Sequence, residues 1–175
     1  MRSQLIASAL ILSISSGGIA RAVESDAQRE AEEILAATDF CGGLIVHLGC
    51  GNGLDTEKLR RNDSFVVHGL DRDGEVVANA RQHLRERAEY GSVAFDQLTA
   101  SVLPYTDNMV NVLVTEQLGD VPMSEVQRVL VPHGVVFTKK NGSWKRSVKP
   151  RSPSIDHWTH YLHGPDNNAV ANDTV

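Results

Sequence analysis

The sequence predicts an α/β protein, a doubly wound and mostly parallel sheet flanked by helices, and three observations point there. Short apolar runs rich in β-branched residues alternate with stretches whose apolar residues recur at helical intervals. A glycine-rich turn, Gly49-Cys50-Gly51-Asn52-Gly53, joins the first such run to the helix that follows it. The composition, 41% apolar and 22% charged over 175 residues, is too hydrophobic for a disordered chain and too polar for a polytopic membrane protein.

Residues 1–22 stand apart from the fold. Arg2 precedes an apolar run from Leu5 to Ile14, and small residues close on Ala20-Arg21-Ala22, the layout of a secretory signal peptide cleaved after Ala22. The run is about half of the ~20 apolar residues that span a bilayer, so no stable membrane span is expected after cleavage. A retained N-terminal anchor is the alternative. Export to the periplasm or medium follows from the leader reading, and a cytoplasmic location follows if that reading fails.

The elements follow in order. Ser25 to Thr38 opens on capping residues and spaces Ala27, Ala31, Ile34 and Leu35 along one helical face. Gly43 to Leu48 is a buried strand, Leu54 to Arg61 a short helix, and Phe65 to Leu70 a second strand. Gly74 to Tyr90 carries Val76, Val77, Ala80, Leu84 and Ala88 at helical spacing. Ser92 to Leu98 is a weaker strand, Met109 to Thr115 a strong one, Met123 to Leu130 a helix and Gly134 to Thr138 a last strand. That makes five strands in a domain covering 23–138. Six Lys and Arg between Lys139 and Arg151, interrupted by Gly142 and Pro150, read as a basic linker over 139–154. Residues 155–175 form a tail, read as the possible start of a truncated second domain.

Charge and cysteines narrow the function. A net charge of -5 argues against a protein that coats nucleic acid, where clustered Lys and Arg must displace counterions. Cys41 and Cys50 flank an extended segment, which at ~3.3 Å per residue holds their Cα atoms far beyond the ~7 Å that a disulfide tolerates. Both thiols are expected to be free. In the tail, His157, His160 and His163 recur at intervals of three, but neither a helix nor a strand would converge all three, so no metal site is assigned.

The glycine turn lies where a strand meets a helix, so its backbone can approach a ligand without Cβ interference. Asp71 closes the next strand. In an open parallel sheet both positions lie at the carboxyl ends of strands, and a carboxylate there can accept hydrogen bonds from a ribose diol. An adenosine-bearing ligand is the natural guest. The Gly-x-Gly-x-Gly spacing of the turn departs from the dinucleotide fingerprint, which disfavours a nicotinamide-dependent oxidoreductase.

The segment from Gly43 to Phe137 resembles a class I S-adenosylmethionine-dependent methyltransferase of the small-molecule, type 11-like branch. Four ordered stretches carry the resemblance: Val46-His47-Leu48-Gly49-Cys50-Gly51-Asn52-Gly53, Val67-His68-Gly69-Leu70-Asp71, Leu103-Pro104-Tyr105-Thr106-Asp107-Asn108, and Glu125 through Gly134. The resemblance implies a Rossmann-like sheet, S-adenosyl-L-methionine as cofactor and a small-molecule acceptor. Its cofactor-binding positions fall on His47, Gly49, Cys50, Gly51, Asn52, Gly53, Asp71, Arg72 and Thr99, with Asp71 on the ribose.

The departures are specific. Members of that family usually carry Asp or Glu at the position of His47, where a protonated imidazole would repel the cofactor's ammonium and sulfonium. Thr99 replaces an acid near the adenine, with Asp96 as an imperfect substitute, and the usual C-terminal antiparallel hairpin is not evident. Glu116, with Gln117, is the candidate for orienting the acceptor or removing its proton. The stretch from Asp156 to Asn172 resembles the lead-in to a quinoprotein-type β-propeller. An exported, non-catalytic methyltransferase-like scaffold beside such a propeller is therefore the alternative to an enzyme.

Overall fold

A computed structural model of the chain describes residues 16–87, 91–159, 161–166, 168–171 and 173–174. The expected leader falls mostly outside these residues, as does His160. Helix α1, Ser16–Ala36, begins nine residues before the predicted start and runs through the position of the expected cleavage. No helix among the described residues is long and apolar enough to cross a membrane.

Strands β1 (Gly43–Leu48), β2 (Phe65–Asp71), β3 (Val93–Gln97), β4 (Val110–Thr115), β5 (Leu130–Lys140) and β6 (Ser143–Val148) form one sheet in the order β3-β2-β1-β4-β5-β6. All pairings are parallel except β5 with β6. Helices α2 (Leu54–Lys58), α3 (Gly74–Glu86) and α4 (Met123–Val129) complete the alternation. The chain winds outward from β1 through β2 to β3, then returns to the other side of β1 with β4. That reversal opens a crevice past the carboxyl ends of β1 and β4.

Both faces of the sheet are covered, and successive strand residues serve opposite layers. Ile45, Val67, Val112, Val114 and Phe137 meet α1 and α3 through Ala31, Ile34, Leu35, Val77, Ala80 and Leu84. Val46, Leu70, Leu113 and Val136 meet α4 and its approaches through Leu103, Val121, Val126 and Val129. Two-sided burial is the reason the central strands read as continuous apolar runs.

The sheet has six strands, not the expected five. Asn141 and Gly142 both take positive φ, 52° and 78°, and turn β5 directly into antiparallel β6. Asn-Gly between two strands is the signature of a two-residue hairpin, because both central residues must enter the left-handed region. The basic residues of this stretch therefore belong to strands: Lys139 and Lys140 end β5, and Lys145 and Arg146 lie on β6. An edge strand with one exposed face tolerates such charge, which is why its composition resembles a linker.

Among the described residues 155–175 form no helix or strand. His163 Nε2 is 2.7 Å from Asp156 Oδ2, the His163 ring meets Trp158 edge-on, and Arg151 reaches His157 Nδ1 at 3.0 Å.

Candidate functional site

The strand register builds the site. Leu70, Leu48, Thr115 and Thr138 form one row across β2, β1, β4 and β5. The next residue of each strand therefore reaches the carboxyl rim, and these are Asp71, Gly49, Glu116 and Lys139. Residues spread over ninety positions of sequence come into line because parallel strands share a direction.

At the turn, Gly49 and Cys50 both donate their N–H to the Leu70 carbonyl, at 2.7 and 3.1 Å, which bends the chain sharply off β1. The Gly51 N–H donates to Asp71 Oδ2 at 3.0 Å, so the acid of β2 lies against the turn. Asp71 Oδ1 accepts from the Asp73 N–H at 3.1 Å. Each oxygen keeps capacity for another donor. Gly49 and Gly51 have φ of 79° and 52°, and a Cβ placed on either would meet nothing within 4 Å. Their bareness leaves open space beside the backbone. Gly53 has a different reason, since a Cβ there would come within 2.5 Å of Phe95 Cζ and 3.1 Å of Ala80 Cβ.

Beside the turn lies a cavity of about 200 Å³ whose walls include Ala31 and Glu30 of α1, His47, Gly49 to Asn52, Asp55, Val114, Glu116 and Trp144. His47 is 7% exposed and its Nδ1 is 2.8 Å from Thr56 Oγ1. Burial pushes its pKa down to about 4 against the pull of Glu116 and Asp71, so the ring is neutral near pH 7. The repulsion that a protonated ring would exert on a cationic ligand is therefore absent near pH 7. Cys50 is buried and unbridged, and burial, with Asp71 nearby, pushes its thiol up to about 12. It stays a thiol and packs as a small apolar residue. Cys41 is exposed and also unbridged.

Glu116 is exposed at the mouth of the cavity and accepts from Lys139 Nζ at 2.8 Å. Lys139 also donates to both carboxylate oxygens of Glu30, at 3.0 and 3.2 Å, and stands 5.2 Å from the centroid of the Trp144 ring. Trp144 Nε1 donates to Glu30 at 3.1 Å. This network ties α1 to the ends of β4 and β5 and holds the Lys139 proton more tightly than usual, chiefly through Glu116. Gln117 is exposed, and its carbonyl accepts from Thr115 Oγ1.

Three expected positions are placed differently. The Arg72 guanidinium donates to the Leu98 carbonyl at 2.9 Å and pairs with Asp120, so it clamps the loop after β4 and does not reach into the glycine turn. Thr99 is exposed beyond the end of β3. Asp96 pairs with His68 Nε2 at 3.0 Å and with Arg81 across to α3, and its side chain stays half exposed.

Four lining or bridging residues were not anticipated as part of the site. Glu30 lay on a helix read only for its apolar face. Asp55 lies on the short helix after the turn, where no local pattern marks it. Lys139 and Trp144 sat in the presumed linker. Recognising the Asn141-Gly142 hairpin would have carried Trp144 back to the rim.

A methyltransferase domain family model matches residues 45–134, just over half of the chain. The chain is 31% identical over 84 residues to the ribosomal RNA small subunit methyltransferase A of Prochlorococcus marinus, covering 47% of this chain and 30% of that protein. It is 31% identical over 111 residues to the ubiquinone biosynthesis O-methyltransferase of Methylococcus capsulatus, covering 59% and 46%. The chain thus spans less than half the length of either relative. The solved geranyl diphosphate C-methyltransferase of Streptomyces coelicolor shares the fold, with a TM-score of 0.62 at 18% identity over 74% of this chain and 52% of that one. The matched segment begins in β1 and ends in β5, so it takes in the glycine turn, Asp71 and Glu116 together. The chain belongs to the methyltransferase domain family.

Proposed function

We propose that the chain binds S-adenosylmethionine along the carboxyl rim of its sheet and transfers the methyl group to a small-molecule acceptor. The observation that carries this reading is the contact of the Gly51 N–H with Asp71, beside two glycines whose missing side chains leave open space. A ribose diol fits the remaining capacity of Asp71, and the amino-acid end of the cofactor fits the cavity across the turn. When bound, the cofactor supplies a methyl group already activated by its sulfonium.

The residues then have mainly to align and exclude water. Gly49 and Gly51 let the backbone approach, the buried neutral ring of His47 shapes the cavity without adding charge, and α1 covers one side. Glu116 faces the acceptor side. As a carboxylate held by Lys139 it can orient a hydroxyl or amine and accept its proton. One curated relative is named for ribosomal RNA and the other for ubiquinone biosynthesis; a net charge of -5 disfavours a polyanionic acceptor and supports the small one.

The test is calorimetric titration of the full chain with S-adenosylmethionine and S-adenosylhomocysteine. Saturable binding of both is expected, and the absence of heat at millimolar ligand would overturn the reading. Export and a propeller-type partner, expected from the leader layout and the tail, remain part of the proposal. N-terminal sequencing of the cell-fractionated protein decides the first, with Val23 as the expected new terminus, and co-purification from the same fraction decides the second.

A further inference from the structure

Among the described residues three carboxylates line the cavity, and two of them are spoken for. Glu30 is bound by Lys139 and Trp144, and Glu116 is bound by Lys139. Asp55, in the first turn of α2, makes no hydrogen bond or ion pair with any described residue, although it lines the same cavity as His47 and the turn from Gly49 to Asn52. Asp55 is exposed towards the cavity; partial desolvation raises its proton affinity first, and Glu30 and Glu116 raise it further against the opposing pull of Lys139. A cation beside this carboxylate would face three acids and one lysine, a lysine already shared by Glu30 and Glu116.

The direction of the ligand follows from what each side of the turn presents. Asp71 contacts the turn at Gly51 but does not line the cavity, whereas Asp55 does. A ligand whose ribose is held by Asp71 and which crosses the bare glycines has its other end in the cavity. His47, uncharged there, supplies no counter-charge to a cation.

We infer that Asp55 is the residue that pairs with the ammonium of the cofactor's amino-acid end, a role displaced onto α2 because position 47 holds a neutral ring. The assignment rests on the S-adenosylmethionine reading above and adds to it a recognition residue for one end of that ligand. A purely local role for Asp55, favouring the N-terminal turn of α2 through the helix dipole, is the competing account.

Calorimetry on the full chain separates them with three ligands: S-adenosylmethionine, S-adenosylhomocysteine, which keeps the ammonium but lacks the sulfonium charge, and methylthioadenosine, which lacks the amino-acid end. Asp55→Asn should weaken the first two by about ten- to a hundredfold each, as expected for losing a hydrogen bond to a charged group, and leave methylthioadenosine unchanged. Asp55→Glu should recover part of the loss. Equal weakening of all three ligands would assign Asp55 a structural role and overturn the inference. So would an unchanged affinity for all three, or a loss confined to S-adenosylmethionine, which would place the charge on the sulfonium. If the unaltered chain bound none of the three, the cofactor reading itself would fall and the inference with it.

Discussion

An imidazolium buried without a close counter-charge loses its hydration and gains little, so His47 stays neutral down to about pH 4 while the same residue in an unfolded chain titrates near 6.5. The sign of the resulting linkage is fixed. Above pH 6.5 neither state holds the proton and there is no penalty. As pH falls from 6.5 towards 4 the unfolded state takes up a proton that the folded state refuses, and stability declines. Between pH 7 and pH 5 this group alone should remove about 2 kcal/mol, at about 1.4 kcal/mol per pH unit. Urea unfolding at the two pH values should show that His47→Gln loses less stability on acidification than the parent chain; an identical loss in both would mean the ring is not buried neutral. Asp71 makes the complementary case, because its role is to face a ligand. Asp71→Ala removes the acceptor of the Gly51 N–H and any ribose contact, and should weaken S-adenosylhomocysteine binding by about 1–3 kcal/mol in a titration.

The turn after β1 shows how one element divides its glycines between folding and binding. Gly53 caps α2 with φ 82° and is pressed against Phe95 and Ala80, so Gly53→Ala should cost stability, about 1–3 kcal/mol from overpacking and backbone strain, read as a lower urea midpoint. Gly51 has open space where a Cβ would go, so Gly51→Ala should cost about 1 kcal/mol of backbone strain but lose most of its cofactor affinity, because the methyl group occupies the ligand's side of the turn. Comparable ligand losses in both variants would argue against this division. Such a turn is legible in sequence because the steric demand falls on residue type itself. The central strands are legible for a related reason: burial on both faces leaves little besides Val, Ile and Leu acceptable in Ile45-Val46 or Val112-Leu113-Val114. The edge is harder to see. β6 is exposed on most of its length, so Lys145 and Arg146 carry no pattern that separates a strand from a linker, and only the Asn141-Gly142 pair betrays it. The site residues divide in the same way. Gly49, Gly51 and Asp71 follow from local chemistry plus the rule that strand ends share a rim. Arg72 and Asp96 stand out by position, but their partners, Asp120 after β4 and Arg81 on the preceding helix, are set by how the elements pack, which no local pattern specifies.

At the scale of the molecule, the site lies on the seam between a sheet buried on both faces and a helix attached more lightly. α1 reaches the core through Ala31, Ile34 and Leu35, and its contact with the rim depends on Glu30 bridging Lys139 and Trp144, partly in solvent. Partly exposed ion pairs contribute little on their own, so α1 should open before the strands do. Hydrogen exchange should show faster exchange in α1 from Glu30 to Ala36 than in β1 or β4. Because α1 forms one wall of the cavity, a ligand that fills the cavity binds the closed arrangement and should slow that exchange. The same linkage stabilises the whole domain: at a free ligand concentration 100 times the dissociation constant the gain is about 2.7 kcal/mol, which for a chain of this size raises the melting temperature by roughly 5–10 °C. S-adenosylhomocysteine should therefore raise the melting temperature and protect α1 together. A thermal shift with no change in α1 exchange would place the ligand elsewhere, away from the cavity beneath this helix.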